Sequence, residues 1–570
     1  MNNNKEKLDN LRHSAAHLLA QAVLELYPDT QLTIGPTTQT GFFYDFLPTK
    51  NFKEEDLPLI EKKMHELAEK KFEIIKKEIT KEEAKKLFAK NIFKLELIDA
   101  IPDDEPITLY CQGDFCDLCR GGHVENTGQI KYFKLTGLAG SYWRADKNNQ
   151  ALQRISGIAF FTQKELDDYL KMVEEAKLYD HRKLGKQLDL FSFHDVAPGM
   201  PFFHNKGLFI FNSLIGYIRS LIRDEYQEIK TPMIMHEDLW HTSGHYENYK
   251  ENMYFTKIDD LINCVKPMNC PGGLLVYNER PHSYKELPIR MAEIGFVHRH
   301  ELSGVLHGLF RVRAFHQDDA HVYCTPDQTE QEIIKILELA KTVYSKFGFK
   351  NIKMALSTKP KKSMGSDDLW EMATIALKNA LKKHNVDYIL QEGEGAFYGP
   401  KIDLMIQDAM GRDWQCGTVQ VDFNMPINFK LEYIDSDQSR KTPVMIHRAI
   451  YGSLERFLGI LIEHYKGRFP FWLAPIQARI LTITDVQKDY AKKLMQELKA
   501  AGLRVELDQT GDQISGQIRQ AQEDKLPWML ILGKKEQENN TVTLRYPDGK
   551  QEFGLTVQDL IGKINKELEK

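Results

Sequence analysis

A change of pattern near residue 470 constrains the fold of this 570-residue chain more than any other feature of its sequence. After it, short apolar runs alternate with helical stretches: RILTIT, a helix ending at Gly502, LRVELD, a second helix, WMLILG, and VTLRYPDGKQEF with a Pro-Asp-Gly turn. Such alternation predicts a compact α/β domain of about a hundred residues. From about residue 190 to 470 the order is irregular, which favours an antiparallel sheet with inserted helices over a doubly wound sheet.

The length of the chain implies more than one hydrophobic core. At roughly 100–200 residues per domain, we expect three or four domains in an α+β multidomain fold. Within the first of them, FKEEDLPLIEKKMHELAEKKFEIIKKEI is predicted to be a charged helix, and the lysine-rich EEAKLYDHRKLGKQLDLF to be a helical connector. We therefore divide the sequence into a first domain, a helical linker, a central domain and a C-terminal domain, at residues 1–175, 176–190, 191–472 and 473–570.

The composition is that of a soluble, folded protein. Hydrophobic residues make up 42% and the net charge is only −5, so nucleic-acid binding would depend on local basic patches. There is no run of about 18 apolar residues, and MNNNKEKLDN does not resemble a signal peptide, so we expect a cytoplasmic protein without membrane association. The seven cysteines are scattered, which argues against a disulfide scaffold and leaves some as candidate ligands or nucleophiles.

The stretch RHSAAHLLAQ places two histidines four residues apart in an apolar run. Asp9 or Asn10 is the predicted N-cap of a helix, apolar residues recur at helical spacing, and Pro28 ends the pattern. His13 and His17 then lie opposite the apolar stripe, where ordinary core packing is not expected. On spacing alone, they are either two solvated histidines or part of a site.

A second polar stretch, CDLCRGGH, is a candidate partner for these histidines. Asp117, Cys119 and His123 lie in a glycine-containing turn, and with His13 and His17 they would bring three histidines and a cysteine together. Such a cluster can hold zinc tetrahedrally, or it can work without metal, with the histidines positioning water for hydrolysis. The C-x-x-C spacing of CDLC also resembles half of a structural zinc site, although no second half follows.

The central region contains a longer motif. Arg299-x-Glu301 is followed by a loop and then by Arg311 and Phe315, within FVHRHELSGVLHGLFRVRAFHQDDAH. This arrangement resembles motif 2 of the class II aminoacyl-tRNA synthetases.

The two other motifs of that class have counterparts in the expected order. VMIHRAIYGSLERFLGIL, which contains Gly452, Glu455 and Arg456, resembles motif 3. IRSLIRDEYQEIKTPMI, which reaches Pro232, resembles the dimer-forming motif 1 and implies a homodimer. The combination of three motifs in order is far more specific than any one of them.

The resemblance narrows to the threonyl-tRNA synthetase family. MNCPG, RVRAFHQDDAH and IHRAIYGSLERF are similar to its catalytic domain, and HSAAH and DLCRGGH to its editing domain. The similarity extends from about residue 10 to the C-terminal domain. It implies an α+β editing domain, a class II antiparallel-sheet catalytic domain and an α/β anticodon-binding domain. The implied activity uses ATP to convert L-threonine to threonyl-adenylate, transfers it to the 3′ end of threonine tRNA, and hydrolyses mischarged seryl-tRNA.

The ATP site is assigned by the same resemblance. Attack of a carboxylate on the α-phosphate builds up negative charge, which fixed cations and Mg²⁺ must stabilise. The resemblance places Arg299 on the carboxylate and α-phosphate, Arg456 on the γ-phosphate and Glu301 on the adenine amino group. Phe315 would stack on the adenine. The other residues implied to line the ATP and adenylate site are Arg311, Gln317, Lys401 and Gln415.

The threonine pocket is implied to hold one zinc ion per chain. Cys270, His321 and His447 match the family's three ligands, although they lie too far apart in sequence for spacing to reveal a metal site. Three protein ligands leave an open position, to which threonine can offer its amine and hydroxyl but valine only its amine. His245 matches a candidate base for aminoacyl transfer, and Lys94 an editing-site lysine. The residues implied to contact threonine are Met268, Asp319 and Tyr398.

Serine explains why a second site is useful. It keeps the hydroxyl of threonine and lacks only a methyl group, a difference worth roughly 1–3 kcal/mol, so the zinc pocket cannot reject it well. The first domain supplies a candidate hydrolytic site.

Some features depart from the family pattern or leave other functions open. MNCPGH appears as MNCPGG with Gly273, HRNE appears as HRHE with His300, and the small additional N-terminal domain of many bacterial relatives is expected to be absent. One alternative is a regulator that binds tRNA or messenger RNA without ligating, which Arg299, Arg456 and the three proposed zinc ligands argue against. Another is a zinc hydrolase of aminoacyl-tRNA, which would explain only the first 175 residues.

Overall fold

The computed structural model describes residues 2–38, 40–146, 148–384 and 386–569. These residues form two compact units, which divide after Glu174. Each unit has a hydrophobic core of its own.

The first unit consists of helices packed on antiparallel sheets, in the strand orders β1-β2-β7-β6 and β3-β4-β5. Its helices are α1 (Asn2–Leu26), α2 (Leu57–Glu69), α3 (Lys81–Leu87), α4 (Ile92–Asp99) and α5 (Gln163–Leu178), the last of which includes the division between the units. Its strands are β1 (Gln31–Leu32), β2 (Phe42–Leu47), β3 (Ile74–Ile79), β4 (Ile107–Gln112), β5 (Phe115–Leu118), β6 (Tyr132–Tyr142) and β7 (Ala151–Phe160).

Helix α1 is the predicted histidine helix, and it is buried on most of its surface. The predicted N-cap is wrong, because the helix begins at Asn2 and continues through Asp9 and Asn10. The preceding residues contain no proline or glycine, and adding residues to an existing helix is favourable once the first turn has formed. Since His17 is only 4% exposed, the alternative of two solvated histidines is also wrong.

The charged segment predicted as one helix is a helix followed by a strand. Helix α2 ends at Glu69, and Lys71, with a φ of 52°, turns the chain away from the helical path. The next residues, IIKKEI, form β3 and pair with β4 in antiparallel register. Cross-strand hydrogen bonds therefore override the helical preference of this charged sequence.

An eight-stranded sheet forms the centre of the described second unit, in the order β10-β15-β16-β23-β20-β19-β17-β18. Its interior neighbours are all antiparallel, and only the two edge pairs are parallel. The prediction of an antiparallel sheet with inserted helices is therefore confirmed. The main core lies between this sheet and helices α7, α11, α12 and α14, which span Asn205–Ile222, Thr329–Lys346, Asp367–Lys383 and Leu454–His464.

The strands of this region up to residue 449 alternate with short and long helices. The strands are β8 (Phe191–Ser192), β9 (Phe202–Phe203), β10 (Gln227–Glu228), β11 (Ile234–His236), β12 (Tyr254–Ile258), β13 (Leu261–Val265), β14 (His282–Ser283), β15 (Ile289–His298), β16 (Ala314–Cys324), β17 (Ile352–Ser357), β18 (Tyr388–Gln391), β19 (Lys401–Gln407), β20 (Asp413–Asp422), β21 (Tyr433–Ile434), β22 (Arg440–Lys441) and β23 (Val444–Ala449). The remaining helices are α6 (His181–Gln187), α8 (Asp238–Thr242), α9 (His245–Tyr249), α10 (Cys270–Tyr277) and α13 (Asn424–Asn428).

The C-terminal part has the predicted alternation. Its sheet has the order β25-β24-β26-β27-β28, with parallel pairing around β24 and an antiparallel hairpin at the end. The elements are β24 (Ala478–Thr482), α15 (Lys488–Ala500), β25 (Val505–Leu507), α16 (Ile514–Glu523), β26 (Trp528–Leu532), α17 (Lys534–Asn539), β27 (Val542–Arg545), β28 (Gln551–Leu555) and α18 (Val557–Glu569).

Within the described part of the chain, none of the helices has both the length and the apolar character needed to cross a bilayer.

Candidate functional site

A cavity of about 820 Å³ opens beside the central sheet of the second unit. It collects residues that are distant in sequence, from the segment before α10 to the first turn of α14. The predicted site residues that line it are Met268, Cys270, Arg299, Glu301, Arg311, Phe315, Gln317, Asp319, His321, Tyr398, Lys401, Gln415, His447 and Arg456.

Strand β16 supplies much of this lining through simple alternation. Phe315, Gln317, Asp319 and His321 are two residues apart, so their side chains point to the same face of the strand. At about 3.3 Å per residue, the two ends of this row are roughly 20 Å apart. One strand therefore carries an aromatic ring at one end of an elongated cavity and a candidate metal ligand at the other.

Three candidate metal ligands converge at the His321 end. His447 on β23 is directly opposite His321 on β16, and the centroids of the two imidazole rings are 5.0 Å apart. Cys270, at the start of α10, completes a group whose ligand atoms all lie within 4.8 Å of one another. The Asp422 carboxylate lies 3.0 Å from Nε2 of His447 and so orients its ring, as carboxylates behind metal-binding histidines commonly do.

The protonation of this group suits a divalent cation. Burial lowers the pKa of His321 well below its ordinary value, which favours the neutral imidazole that binds metals. Burial, followed by the charges of Asp319 and Asp422, raises the pKa of the Cys270 thiol well above its ordinary value. A thiolate at this position therefore needs a cation, and Zn²⁺ fits a Cys-His-His donor set that also faces an open cavity.

The Arg299 guanidinium lines the cavity and is held by aromatic rings and a backbone carbonyl. Its centre is 5.1 Å from the ring centroid of Phe315 and 5.8 Å from that of Tyr249, and its Nε donates to the carbonyl of Pro267 at 3.2 Å. These contacts fix the guanidinium while leaving other N–H groups available to an anionic ligand.

Two carboxylates orient three other cationic or amide side chains of the lining. Glu301 forms an ion pair with Arg311 at 3.0 Å. Asp403 accepts from Lys401 at 2.5 Å and from the Gln415 amide at 2.6 Å. Sequence reasoning missed Asp403, although its position two residues after Lys401 puts it on the same face of β19.

Asp319 has a fixed orientation as well. The Nδ2 of Asn269 donates to its Oδ2 at 2.7 Å, and Tyr398 donates its hydroxyl to the Gln420 Oε1 at 2.8 Å. Asn269 and Gln420 were both missed from sequence, because only the fold brings them beside these residues.

His245 lies behind the cavity lining. It is fully buried, with Nδ1 2.8 Å from the Ser243 hydroxyl and Nε2 2.7 Å from the sulfur of Met268. Burial lowers its pKa to about 3, so it is a neutral imidazole. Met268 separates it from the cavity.

The two motif departures have different surroundings. Gly273 is buried in α10, and a Cβ at this position would be 3.5 Å from Nδ1 of His321, which is ordinary contact distance. His300 packs edge-on against Tyr254, with the ring centroids 5.5 Å apart, and is exposed. The His300 substitution therefore does not alter the cavity lining.

The first unit contains a second cluster, formed by α1 and the turn after β5. Cys119 Sγ lies 3.1 Å from Nε2 of His123 and 3.5 Å from Nε2 of His13. The ring of His123 stacks on that of His13, with the ring centroids 4.5 Å apart. The centroid of the His17 ring is 4.6 Å from that of His123. The predicted group of three histidines and one cysteine is thus brought together, with ligand atoms within 4.8 Å of one another.

Lys94 and Asp117 form a buried ion pair beside this cluster. The Tyr44 hydroxyl donates to Asp117 at 2.5 Å, and Lys94 donates to Tyr44 at 3.1 Å. All three side chains are at most 2% exposed. Tyr44 was missed from sequence, because no motif surrounds it and β2 brings it to the site across more than 70 positions.

The cluster is electrically neutral apart from that pair. Burial lowers the pKa of His17 well below its ordinary value, that of His13 less strongly, and that of His123 to about 2. Burial also raises the pKa of Cys119 to about 11. The cluster therefore offers neutral imidazoles, which can accept hydrogen bonds from water and orient it, and a thiol that is not an ionised nucleophile.

The half zinc site suggested by the C-x-x-C spacing is wrong. Cys116 forms a disulfide with Cys111, its direct partner across the β4–β5 hairpin. Only Cys119 of the pair reaches the histidines.

Comparison with known proteins places three family models in order along the chain. The threonyl and alanyl tRNA synthetase second additional domain matches residues 107–156, the class II tRNA synthetase core domain (G, H, P, S and T) matches residues 254–465, and the anticodon binding domain matches residues 477–567. Because the chain contains both a synthetase core domain and an anticodon binding domain, the alternative of a protein that is only an aminoacyl-tRNA hydrolase is excluded.

Individual relatives cover nearly all of the chain. The threonine–tRNA ligase of Clostridium tetani is 51% identical over 98% of this chain and 88% of its own length, and that of Acetivibrio thermocellus has the same identity and coverage. A crystal structure of the RNA binding domain of threonyl-tRNA synthetase from Cryptosporidium parvum aligns with a TM-score of 0.66 and 44% identity, over 68% of this chain and 98% of that one. A putative threonyl-tRNA synthetase from Aeropyrum pernix aligns with a TM-score of 0.59 and 30% identity, over 69% and 96%.

The family, the fold class and the enzyme class predicted from the motifs are confirmed by these matches. The chain belongs to the threonine–tRNA ligase family, as a class II aminoacyl-tRNA synthetase with an editing-type domain before its catalytic core and an anticodon-binding domain after it.

Proposed function

We propose that this chain activates L-threonine with ATP and Mg²⁺ at the large cavity, transfers it to threonine tRNA, and hydrolyses mischarged seryl-tRNA in its first unit. The proposed domains are residues 1–175 for editing, 176–190 for the linker, 191–472 for catalysis and 473–570 for the anticodon. The main support for the proposal is the row of alternating side chains on β16. This row has Phe315 at the proposed nucleotide end of the cavity and His321 at the proposed amino-acid end.

At the nucleotide end, Phe315 stacks on the adenine and Glu301 accepts its amino group. Arg299 lies between the two ends, where it can hold the threonine carboxylate against the α-phosphate as charge builds up. Arg456, at the first turn of α14, binds the γ-phosphate of the departing pyrophosphate. Lys401, Gln415 and Gln317 complete the lining, with the first two oriented by Asp403.

At the amino-acid end, Cys270, His321 and His447 would hold one zinc ion. When bound, zinc would supply an open coordination position for the amine and hydroxyl of threonine, which valine could not fill in the same way. Asp319 and Tyr398 accept the amino group, and Met268 shapes the pocket between them and His245. His245 is a candidate base for aminoacyl transfer, provided that Met268 moves aside.

In the first unit, His13, His17 and His123 are neutral and face Cys119. We infer that they orient water for attack on the ester of seryl-tRNA by accepting its hydrogen bonds, and that the proton of this water passes to the ribose oxygen that leaves. The Lys94–Asp117 pair, with Tyr44, fixes the electrostatics behind them. The methyl group that distinguishes threonine from serine is worth too little to make this step unnecessary.

The proposal includes a cytoplasmic homodimer. Motif 1 ends at Pro232, directly before β11 in a three-stranded sheet with β13 and β12. One face of this sheet exposes three large apolar side chains, which a second copy would cover: Ile234, Ile258 and Leu261.

Pyrophosphate exchange tests the proposed activity. Exchange that depends on threonine would support it and would separate a ligase from a chain that only binds tRNA. Exchange that is absent with threonine, or equal with all amino acids, would contradict it.

A further inference from the structure

His181 opens α6, the second helix of the linker, and its side chain is fully buried. Its ring lies between two elements of the proposed ATP site. One is α14, whose first turn carries Arg456, and the other is the short helical turn Gly308–Phe310, within the loop between Glu301 and Arg311.

Both ring nitrogens of His181 are in use. Nδ1 lies 2.7 Å from Oε1 of Glu463, near the end of α14, and the backbone N–H of His181 donates to the same oxygen at 2.9 Å. The backbone N–H of Leu309 donates to Nε2 at 3.0 Å. Because a backbone N–H can only donate, Nε2 of His181 must be unprotonated. Nδ1 therefore carries the ring proton and donates a hydrogen bond to Glu463.

These contacts exclude another interpretation of the same residues. Ligand atoms of Asp180, His181 and Glu463 lie close enough together to hold a metal ion. However, Glu463 also pairs with Arg412, and Asp180 caps α6 through the backbone N–H of Arg182. The donor atoms already have protein partners, so the group is a hydrogen-bonded clamp.

The loop is pressed closely against the imidazole. Gly308 has a φ of 49°, and a Cβ at this position would lie 2.2 Å from Nε2 of His181. The Phe310 ring packs on His181 with centroids 4.0 Å apart and on Trp414 with centroids 4.3 Å apart. Trp414 in turn lies under the Arg456 guanidinium, 5.8 Å from its centre.

We propose that His181 is a positioning residue for adenylate formation. It joins the motif 2 loop to the motif 3 helix, and so fixes the relative positions of Arg311, Phe310 and Arg456 around ATP. The linker helix thereby becomes part of the ATP site, although His181 itself does not line the cavity. This inference depends on the proposed ATP site, but not on which amino acid is activated.

Two substitutions at position 181 test the two hydrogen bonds of the imidazole ring one at a time, the bond to Glu463 and the bond from Leu309. In His181→Asn, the shorter amide can still donate to Glu463 but has no acceptor at the Nε2 position for Leu309. In His181→Gln, the longer amide can place an oxygen there. Because a buried N–H is left without a partner in the first variant only, we expect its KM for ATP to rise about tenfold, with recovery to within about threefold in His181→Gln.

The readouts are the KM values for ATP and threonine in pyrophosphate exchange, and the Kd of a non-hydrolysable ATP analogue. We expect the KM for threonine to change less than twofold, because the amino-acid end of the cavity is not in contact with the clamp. His194→Asn is the matched control, since this exposed histidine contacts Ser192 and should leave all values unchanged.

Gly308→Ala tests the clamp from the loop side. Its new Cβ would collide with the imidazole while leaving α6 and α14 intact, so the KM and Kd for ATP should rise as they do in His181→Asn. This variant decides the question if His181→Asn does not fold.

The positioning role is overturned if folded His181→Asn or Gly308→Ala binds the ATP analogue with the parent Kd. It is also overturned if the KM values for ATP and threonine rise in parallel with a loss of thermal stability, because that pattern is a general structural defect. A parent protein that binds the analogue but shows no threonine-dependent exchange would contradict the proposed function, while the Kd ratio would still decide the role of His181.

Discussion

At the scale of single residues, the chemistry depends on groups whose ionisation the fold has changed. Burial holds the thiol of Cys270 in its protonated form, and it lowers the pKa values of His321 in one unit and of His13, His17 and His123 in the other. These groups are suited to binding a cation in one unit and to orienting water as neutral hydrogen-bond acceptors in the other.

The candidate zinc site makes the first prediction. Cys270→Ser should lose about one zinc per chain and nearly all threonine-dependent exchange, because a weak neutral oxygen ligand replaces a thiolate. Metal analysis and pyrophosphate exchange on the purified protein measure both. Cys324→Ser, which removes another buried thiol, should keep its metal and activity. Full zinc content and normal exchange in Cys270→Ser would remove this residue from the site.

The editing cluster makes the second prediction. Replacing His13 and His17 with alanine should leave threonine activation intact, while seryl-tRNA accumulates because nothing removes it. Alanine favours helices, so α1 should persist, which circular dichroism can check. His65→Ala, at an exposed histidine of the same unit, is the control. Hydrolysis of seryl-tRNA at the parent rate, with unchanged helix content, would refute the assignment.

At the scale of elements, sequence patterns predicted what depends on local periodicity. The alternation of strands and helices in the C-terminal part was predicted from the sequence and is present in the structure. IIKKEI was misread because its pairing with β4, about 30 positions away, decides its conformation. The sequence analysis did not identify Tyr44, Asp403 or His181 as site residues for the same reason. Each contacts the site only through a partner that the fold brings close.

The third prediction concerns how the stability of the first unit depends on pH. Neutral histidines lie where α1 packs on the turn after β5. In the unfolded chain they titrate near pH 6.5, whereas in the fold their pKa values are lowered, that of His123 to about 2. Below pH 6.5 the unfolded state therefore binds more protons, and stability falls as the pH falls. For His123 the loss should be about 1 kcal/mol at pH 5.5.

Pulse proteolysis in urea, with mass spectrometry of peptides from the first unit, measures this stability between pH 7.5 and 5.5. His123→Asn should show a shallower dependence on pH than the parent protein. An identical dependence in parent and variant would mean that His123 is not held neutral by the fold.

At the scale of the whole molecule, the proposed assembly contains two copies of the chain. The fourth prediction is that the parent protein is a dimer at micromolar concentration, and that Ile234→Asp or Leu261→Asp weakens it, because a charge in the buried interface has no partner. Val486→Asp, at an apolar residue that is 72% exposed elsewhere, should not affect assembly. Sedimentation velocity distinguishes these results, and a parent protein that sediments as a monomer would contradict the proposed interface.

The central claim is that a zinc pocket selects threonine by its hydroxyl and that a second site removes serine. Aminoacylation of threonine tRNA with threonine, serine and valine, measured side by side with pyrophosphate exchange, tests it most directly. We expect exchange with threonine and, more weakly, with serine, almost none with valine, and accumulation of threonyl-tRNA alone. Exchange with valine comparable to that with threonine, or stable seryl-tRNA in the parent protein, would contradict it.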